Sequence, residues 1–213
     1  MIKRNKISLI LASLLTLSPI IAGIALWDRL PESMPTHWGI SGEADGYSSK
    51  TFAVFALPLI MLAFMWLCIF FTTLDKKNKD QNEKVLGSVV WIVPILTCVI
   101  SAATYVGALG YKFSSSRIIL SALAVMFIVI GNYMPKCKQN RTIGVKIKWT
   151  LESEENWLRT HRFAGIVWFV SGILSIFCLL LPEKAAFIVF LPILLVAVAA
   201  PIIYSFVLHK KGI

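Results

Sequence analysis

The chain is poor in charged residues for its length. Only 15% of its 213 residues are Asp, Glu, Lys or Arg, while 57% are hydrophobic. A soluble domain of this size needs more polar surface than that composition supplies, so an ordinary soluble domain is excluded. The hydrophobic residues are gathered into long runs, and runs of about 18 or more apolar residues are typical of membrane-spanning helices.

Six such runs predict an all-α, polytopic integral membrane protein with six transmembrane helices. The predicted spans are 7–27, 52–74, 85–109, 118–134, 163–181 and 185–208. The first apolar run covers about 20 residues, whereas a cleaved signal peptide has about 7–15, so an uncleaved first helix is expected. The spans group into an N-terminal region, 1–110, with a long loop at 28–51, and a second region, 111–213, with a long basic loop at 135–162.

Ionisable groups and cysteines are missing from the places where two functions would need them. No Asp, Glu, Lys, Arg or His lies in the middle of a predicted span, which argues against proton-coupled transport. Three of the four cysteines, Cys68, Cys98 and Cys178, lie within spans, and Cys137 lies in the basic 135–162 loop. A disulfide framework is therefore not expected.

The lysines and arginines are distributed unevenly between the loops. Sixteen of the 21 lie in the N-terminus, the 75–84 loop, the 135–162 loop and the C-terminus. Cytoplasmic loops of membrane proteins carry this excess, so we expect a multi-pass protein of the cell membrane with both termini in the cytoplasm. The basic residues are spread over several short loops beside lipid headgroups, which favours anionic lipids as partners and not direct binding of nucleic acid.

The 28–51 loop, expected on the outer side, combines proline with glycine and aromatic residues. Pro31 and Pro35 favour extended backbone around them, and three glycines permit tight turns. His37, Glu43 and Asp45 do not have a recognised metal-ligand spacing, so we expect a solvated loop without metal or other cofactor. The candidate outer sensing loop comprises Pro35, His37, Trp38, Gly42 and Asp45.

The basic 135–162 loop, expected on the inner side, contains the start of a helix. Thr150 is predicted as its N-cap, because Glu154 then lies near the positive end of the helix dipole. Trp157, His161 and Trp168 follow at helical spacing along one face. His161 is expected to bind a headgroup or a backbone carbonyl and not to act as a catalytic base, because no catalytic constellation accompanies it. The candidate inner site comprises Asn140, Gly144, Trp149, Thr150, Glu154, Trp157, His161 and Arg162.

Both loops resemble known families. The segment LPESMPTHWGISGEADGYSSK resembles an N-terminal domain of unknown function that often accompanies the SdpI family, and GNYMPKCKQNRTIGVKIKWTLESEENWLRTHRF resembles the signature of the SdpI family itself. The matching positions are Asn132, Met134, Pro135, Asn140, Gly144, Trp149, Thr150, Glu154, Trp157 and Arg162. Members often show Arg-Thr-Pro-Trp where this chain has residues 146–149, Lys-Ile-Lys-Trp, and a lysine lacks the bidentate contact that an arginine makes.

The resemblance implies a non-enzymatic immunity or signalling protein. It would confer resistance to a secreted, membrane-active peptide toxin bound on the outer side, and it would sequester a cytoplasmic repressor on the inner side. Two alternatives stay open from the residues alone. One is a small transporter or exporter of an apolar or peptide substrate, and the other is a membrane-embedded enzyme of envelope or lipid metabolism.

The uneven distribution of lysine and arginine predicts a labelling pattern for a membrane-impermeant thiol reagent. A cysteine introduced by Ser48→Cys should react in intact cells, because the 28–51 loop is expected outside. Cys137 should react only after the cells are opened. Labelling of Cys137 in intact cells would show that the orientation is inverted.

Overall fold

Seven α-helices and one β-hairpin form the described part of the protein. The computed structural model describes residues 5–39, 42–111 and 114–213, so Lys3, Arg4 and Lys112 of the predicted charge asymmetry lie outside the described residues. The helices are α1 (Lys6–Ala25), α2 (Leu57–Leu74), α3 (Glu83–Ala108), α4 (Ser115–Tyr133), α5 (Lys148–Glu152), α6 (Glu154–Cys178) and α7 (Glu183–Lys210). The strands are β1 (Ser33–Trp38) and β2 (Ala44–Ser49). A π-type turn, Phe52–Ala56, leads directly into α2.

Six of these helices are long and apolar enough to cross a membrane, which confirms the predicted fold class. At most 39% of the residues in the apolar window of any span are buried inside the protein. Many apolar side chains of the spans, such as Ile7 and Ile21, are exposed. A surface of this kind is stable in a bilayer, because the hydrocarbon core replaces the protein contacts that these side chains lack.

The spans pack as two groups of three helices. Leu9 of α1, Met65 of α2 and Val90 of α3 share one buried cluster. A second cluster joins Phe127 of α4 and Phe190 of α7 with Cys178 of α6. Contacts between α3 and α4 connect the two groups. Because successive spans run in opposite directions, the bundle has two ends, a hairpin end with β1 and β2 and a basic end with residues 75–82 and 134–153.

The most extensive helix contact, between α4 and α6, depends on small residues. A Cβ atom added to Gly172 would lie 2.7 Å from the carbonyl oxygen of Ala124, and one added to Gly165 would lie 2.8 Å from that of Gly131. Small residues allow such close backbone approach, which replaces the hydrophobic driving force that is absent between helices in lipid.

The 28–51 loop forms a β-hairpin that packs onto the bundle, whereas the sequence predicted only a solvated loop. The two strands are antiparallel, with Ser33 opposite Ser49 and Pro35 opposite Tyr47. Met34 is completely buried in a cluster with Val54 and Tyr105. The hairpin is therefore attached to α3 and to the turn before α2 by an apolar anchor.

Candidate functional site

At the basic end, the loop between α2 and α3 is joined to residues 137–147 by side-chain hydrogen bonds. The carboxylate of Asp75 accepts from the backbone N–H of Arg141 at 2.6 Å. The amide of Asn78 donates to the hydroxyl of Thr142 at 2.7 Å. Gln81 both accepts from and donates to the backbone of Lys138. These contacts link the N-terminal region of the chain to the second region.

Asn140 organises residues 137–147 from the inside. It is 1% exposed, and its amide oxygen accepts from the backbone N–H groups of Thr142 and Ile143 at 2.7 and 2.6 Å. Its amide nitrogen donates to the carbonyls of Lys138 and Ile143. An irregular loop exposes backbone groups that no helix or strand satisfies, and one buried amide side chain satisfies four of them here.

Trp157 and His161 support the same loop from α6. Both are buried, and their rings stack with centroids 3.9 Å apart. The indole Nε1–H of Trp157 donates to the carbonyl of Cys137 at 2.8 Å. His161 Nδ1 donates to the carbonyl of Trp157, and Nε2 accepts from the backbone N–H of Val145 at 3.1 Å. The neutral imidazole thus uses both nitrogens, and the carbonyl partner expected for His161 is found.

Gly144 brings the loop against His161. Its φ is +106°, a left-handed conformation that favours glycine. A Cβ atom at this position would lie 2.3 Å from His161 Nε2. Glycine is therefore required both by the backbone conformation and by the close approach of the imidazole.

Thr150 is not the N-cap of the long helix, which corrects the sequence prediction. It lies inside the short helix α5, and Ser153 caps α6 with its hydroxyl accepting from the backbone N–H of Asn156. The hydroxyl of Thr150 donates to the carbonyl of Val145 at 2.7 Å and accepts from the N–H of Ile147. Thr150 therefore satisfies backbone groups of the segment before α5. Because Ser153 caps α6, the helix begins at Glu154, nine residues before the predicted span.

The other predicted inner residues lie at the surface of the basic end. Glu154 and Arg162 are exposed. Arg159 pairs with Glu155 one helical turn away and is also exposed. Trp149 is half-buried and packs on Phe206 and His209 near the end of α7. The inner residues thus divide into a buried support and an exposed surface.

Cys137 is enclosed by the basic end, so we expect slow labelling of it in the folded protein even in opened cells. Its side chain is 3% exposed, and burial raises the pKa of its thiol to about 11. The thiolate that reacts with such reagents is therefore scarce at neutral pH. The neighbouring Lys138 is exposed, so Lys138→Cys tests the predicted inner side as Ser48→Cys tests the predicted outer side.

At the hairpin end, the hairpin covers a cavity of about 700 Å³ between α4 and α7. His37, Trp38 and Asp45 line its polar side, and His37 Nδ1 binds the carboxylate of Asp45. Gly39 of the hairpin also lines it, and the lining residues from α4 and α7 are apolar apart from Arg117 and Glu183. The structure therefore brings three of the predicted outer residues to one cavity.

Two predicted outer residues do not line this cavity. Pro35 is buried in β1, opposite Tyr47. Gly42 precedes β2, with a positive φ of +80°. Within residues 5–39, 42–111 and 114–213, no three His, Cys, Asp or Glu side chains form a group that could hold a metal ion.

Comparisons with known proteins agree with both halves of the chain. Residues 136–205 match the SdpI/YfhL protein family, and residues 14–62 match a domain of unknown function, DUF1648. The resemblance to the SdpI family is confirmed. The chain is also 28% identical over 209 residues to "Immunity protein SdpI" of Bacillus subtilis (strain 168), covering 98% of this chain and 97% of that protein. No solved structure matches the chain.

The sequence analysis did not identify several buried residues that lie in or contact the matched region, residues 136–205. Asn78 and Gln81 are each 3% exposed, although the sequence around them shows only a charged loop. Asn156 and Ser205 are completely buried and bind each other between α6 and α7. For Asn78 and Gln81, the available signal was an uncharged amide within a stretch of lysines, which suggests a side chain that bonds to backbone and not to water.

The contact of Gly144 with His161 predicts that Gly144→Ala destabilises the basic end. A left-handed backbone costs a residue with a Cβ atom about 1–2 kcal/mol, and the new atom would also displace His161 from Val145. Gly110→Ala is the matched control, because Gly110 has a φ of +78° but nothing within 4 Å of an added Cβ atom. Thermal unfolding in detergent should show a clearly larger loss for Gly144→Ala. Equal losses would show that the His161 contact contributes nothing.

Proposed function

We propose that this chain is an immunity protein that protects a bacterium against a secreted, membrane-active peptide toxin. The observation that carries the proposal is the match to an immunity protein over nearly the full length of both chains. The match covers the hairpin as well as the basic end, so both regions are available for the same function. The protein acts without catalysis in this proposal, because His161 already binds backbone through both nitrogens.

The hairpin-end cavity is the proposed site of toxin contact. Its apolar walls suit the side chains of a membrane-active peptide, and its polar groups suit peptide backbone or charged ends. The hairpin supplies one wall while α4 and α7 supply the other, so a bound peptide would contact both regions of the chain. The uneven distribution of lysine and arginine supports an outer location for this end.

The test of toxin contact compares two neighbouring residues of α7. Phe187 lines the cavity and is 39% exposed, whereas Ile188 is 59% exposed and does not line it. In a sensitive strain that expresses the protein, Phe187→Ala should lower the tolerated toxin concentration about tenfold, which corresponds to about 1.4 kcal/mol of lost binding. Ile188→Ala, expressed at the same level, should protect as well as the unaltered chain. Equal protection by both variants would exclude the cavity as the toxin site.

The same strain separates immunity from the exporter alternative. Protection should persist when the proton gradient is dissipated, because the proposal needs binding and no driven transport. Protection that disappears with the gradient would favour export.

The exposed surface of α6 at the basic end is the proposed contact for a cytoplasmic repressor. Glu154 and Arg159 project into solvent, away from the buried face with Trp157. Their replacement should therefore change stability by no more than about 0.5 kcal/mol, as is usual for surface positions. A partner that docks here would be lost when these side chains are removed, without loss of the fold.

A transcriptional reporter for the sequestered repressor tests this contact. The double variant Glu154→Ala/Arg159→Ala should keep its expression level and unfolding temperature but lose the toxin-induced reporter signal. Lys84→Ala removes an exposed charge from the first turn of α3 at the same end and is the control. A full signal from the double variant would contradict the proposed contact.

A further inference from the structure

A second cavity, of about 660 Å³, lies at the basic end between α2, α3 and α4. Its walls are mainly apolar and come from four helices, including Phe71 of α2, Val89 and Ile92 of α3, Ile130 of α4 and Trp168 of α6. Both α2 and α4 pack against α3, but they make few contacts with each other. The cavity is therefore a groove along α3 between two helices whose outer faces meet the bilayer.

The groove extends over much of the thickness of one membrane leaflet. Along α3 its lining runs from Val85 to Ile92, and seven residues at 1.5 Å each cover about 10 Å. One leaflet contributes about half of the roughly 30 Å hydrocarbon core. An acyl chain that enters beside α3 would thus lie in the groove over most of its leaflet.

The mouth of the groove is positively charged. Arg141 and Lys146 both line the cavity at the basic loop, and both are exposed. Among the described residues, neither side chain forms an ion pair. The nearby Asp75 carboxylate is engaged with the backbone N–H groups of Lys77 and Arg141. The two cations are therefore available to an anion at the headgroup level.

We propose that the groove binds one anionic phospholipid of the surrounding leaflet. An acyl chain lies against Val89, Ile92 and Ile130, and the phosphate lies between Arg141 and Lys146. The apolar walls and the cationic mouth are arranged in the order of a lipid chain and its headgroup, which a free anion or a water-soluble peptide does not match. The lipid would complete the packing between the two three-helix groups at the basic end.

Such a lipid would also contact the loop that Trp157 and His161 support. Thr142, Ile143 and Val145 line the groove. The backbone N–H groups of the first two donate to Asn140, and that of Val145 donates to His161. Binding at the groove should therefore stabilise the folded basic end. This inference does not depend on the proposed immunity function.

The experiment measures thermal unfolding of the purified full chain in neutral detergent with added lipid. Dioleoylphosphatidylglycerol should raise the unfolding temperature, while dioleoylphosphatidylcholine and inorganic phosphate at the same concentration should not. Native mass spectrometry should count one retained phosphatidylglycerol. The double variant Arg141→Gln/Lys146→Gln should weaken the apparent lipid affinity by roughly 30-fold, because two direct charge-assisted contacts to the phosphate are lost.

The control is Lys84→Gln/Lys211→Gln, which removes two exposed charges from the same end without altering the groove. It should weaken the affinity by no more than about threefold. An equal loss in both double variants would show only general attraction to the basic end and would overturn the site. Equal stabilisation by phosphatidylcholine or by inorganic phosphate, or no stabilisation by phosphatidylglycerol, would overturn it as well.

Discussion

The buried indole of Trp157 is the contact on which the basic end depends. Residues 137–147 are irregular backbone next to a bilayer, where an unsatisfied carbonyl or N–H group costs several kcal/mol. The indole N–H satisfies the carbonyl of Cys137, and its ring supports His161, which in turn satisfies Val145. Asn140 satisfies the groups between them. The long helix α6 thus supplies, through two side chains one turn apart, the support for a loop that has no regular structure of its own.

Hydropathy alone predicted the six spans, because each is long, apolar and free of central charge. It could not predict the start of α6, since the choice between Thr150 and Ser153 depends on which hydroxyl is needed elsewhere, and Thr150 is needed by Val145 and Ile147. The helical spacing of Trp157 and His161 did indicate a buried face. The spacing did not predict which segment packs on that face, because the contacts with Cys137 and Val145 depend on how the loop folds back onto α6.

The sequence predicted the extended backbone and the turns of the hairpin but not its attachment to the helices. Its prolines indicated extended backbone and its glycines indicated turns, but strand pairing at a membrane surface needs an anchor. Met34 provides it by entering a cluster formed by residues 26–30 after α1, by α3 and by the turn before α2. A single apolar residue in a polar segment has no periodicity, so the sequence does not distinguish an anchored hairpin from a solvated loop. The cavity beneath the hairpin follows from the same anchor.

The polar groups that join the spans are neutral, and the charged groups lie at the two ends of the bundle. Asn156 accepts from Ser205 and from Thr160, and it donates to the backbone of α7, so α6 and α7 are held together without a charge. Bonds of this kind between membrane helices contribute about 0.6 kcal/mol on average, and the neutral groups that form them carry no charge that a proton gradient or a membrane potential could act on. Charged and titratable groups are instead concentrated at the hairpin and at the basic loops. The helix α3 contacts the hairpin at one end and contributes Val85 to the cluster of Trp157 at the other, so it physically joins the two ends.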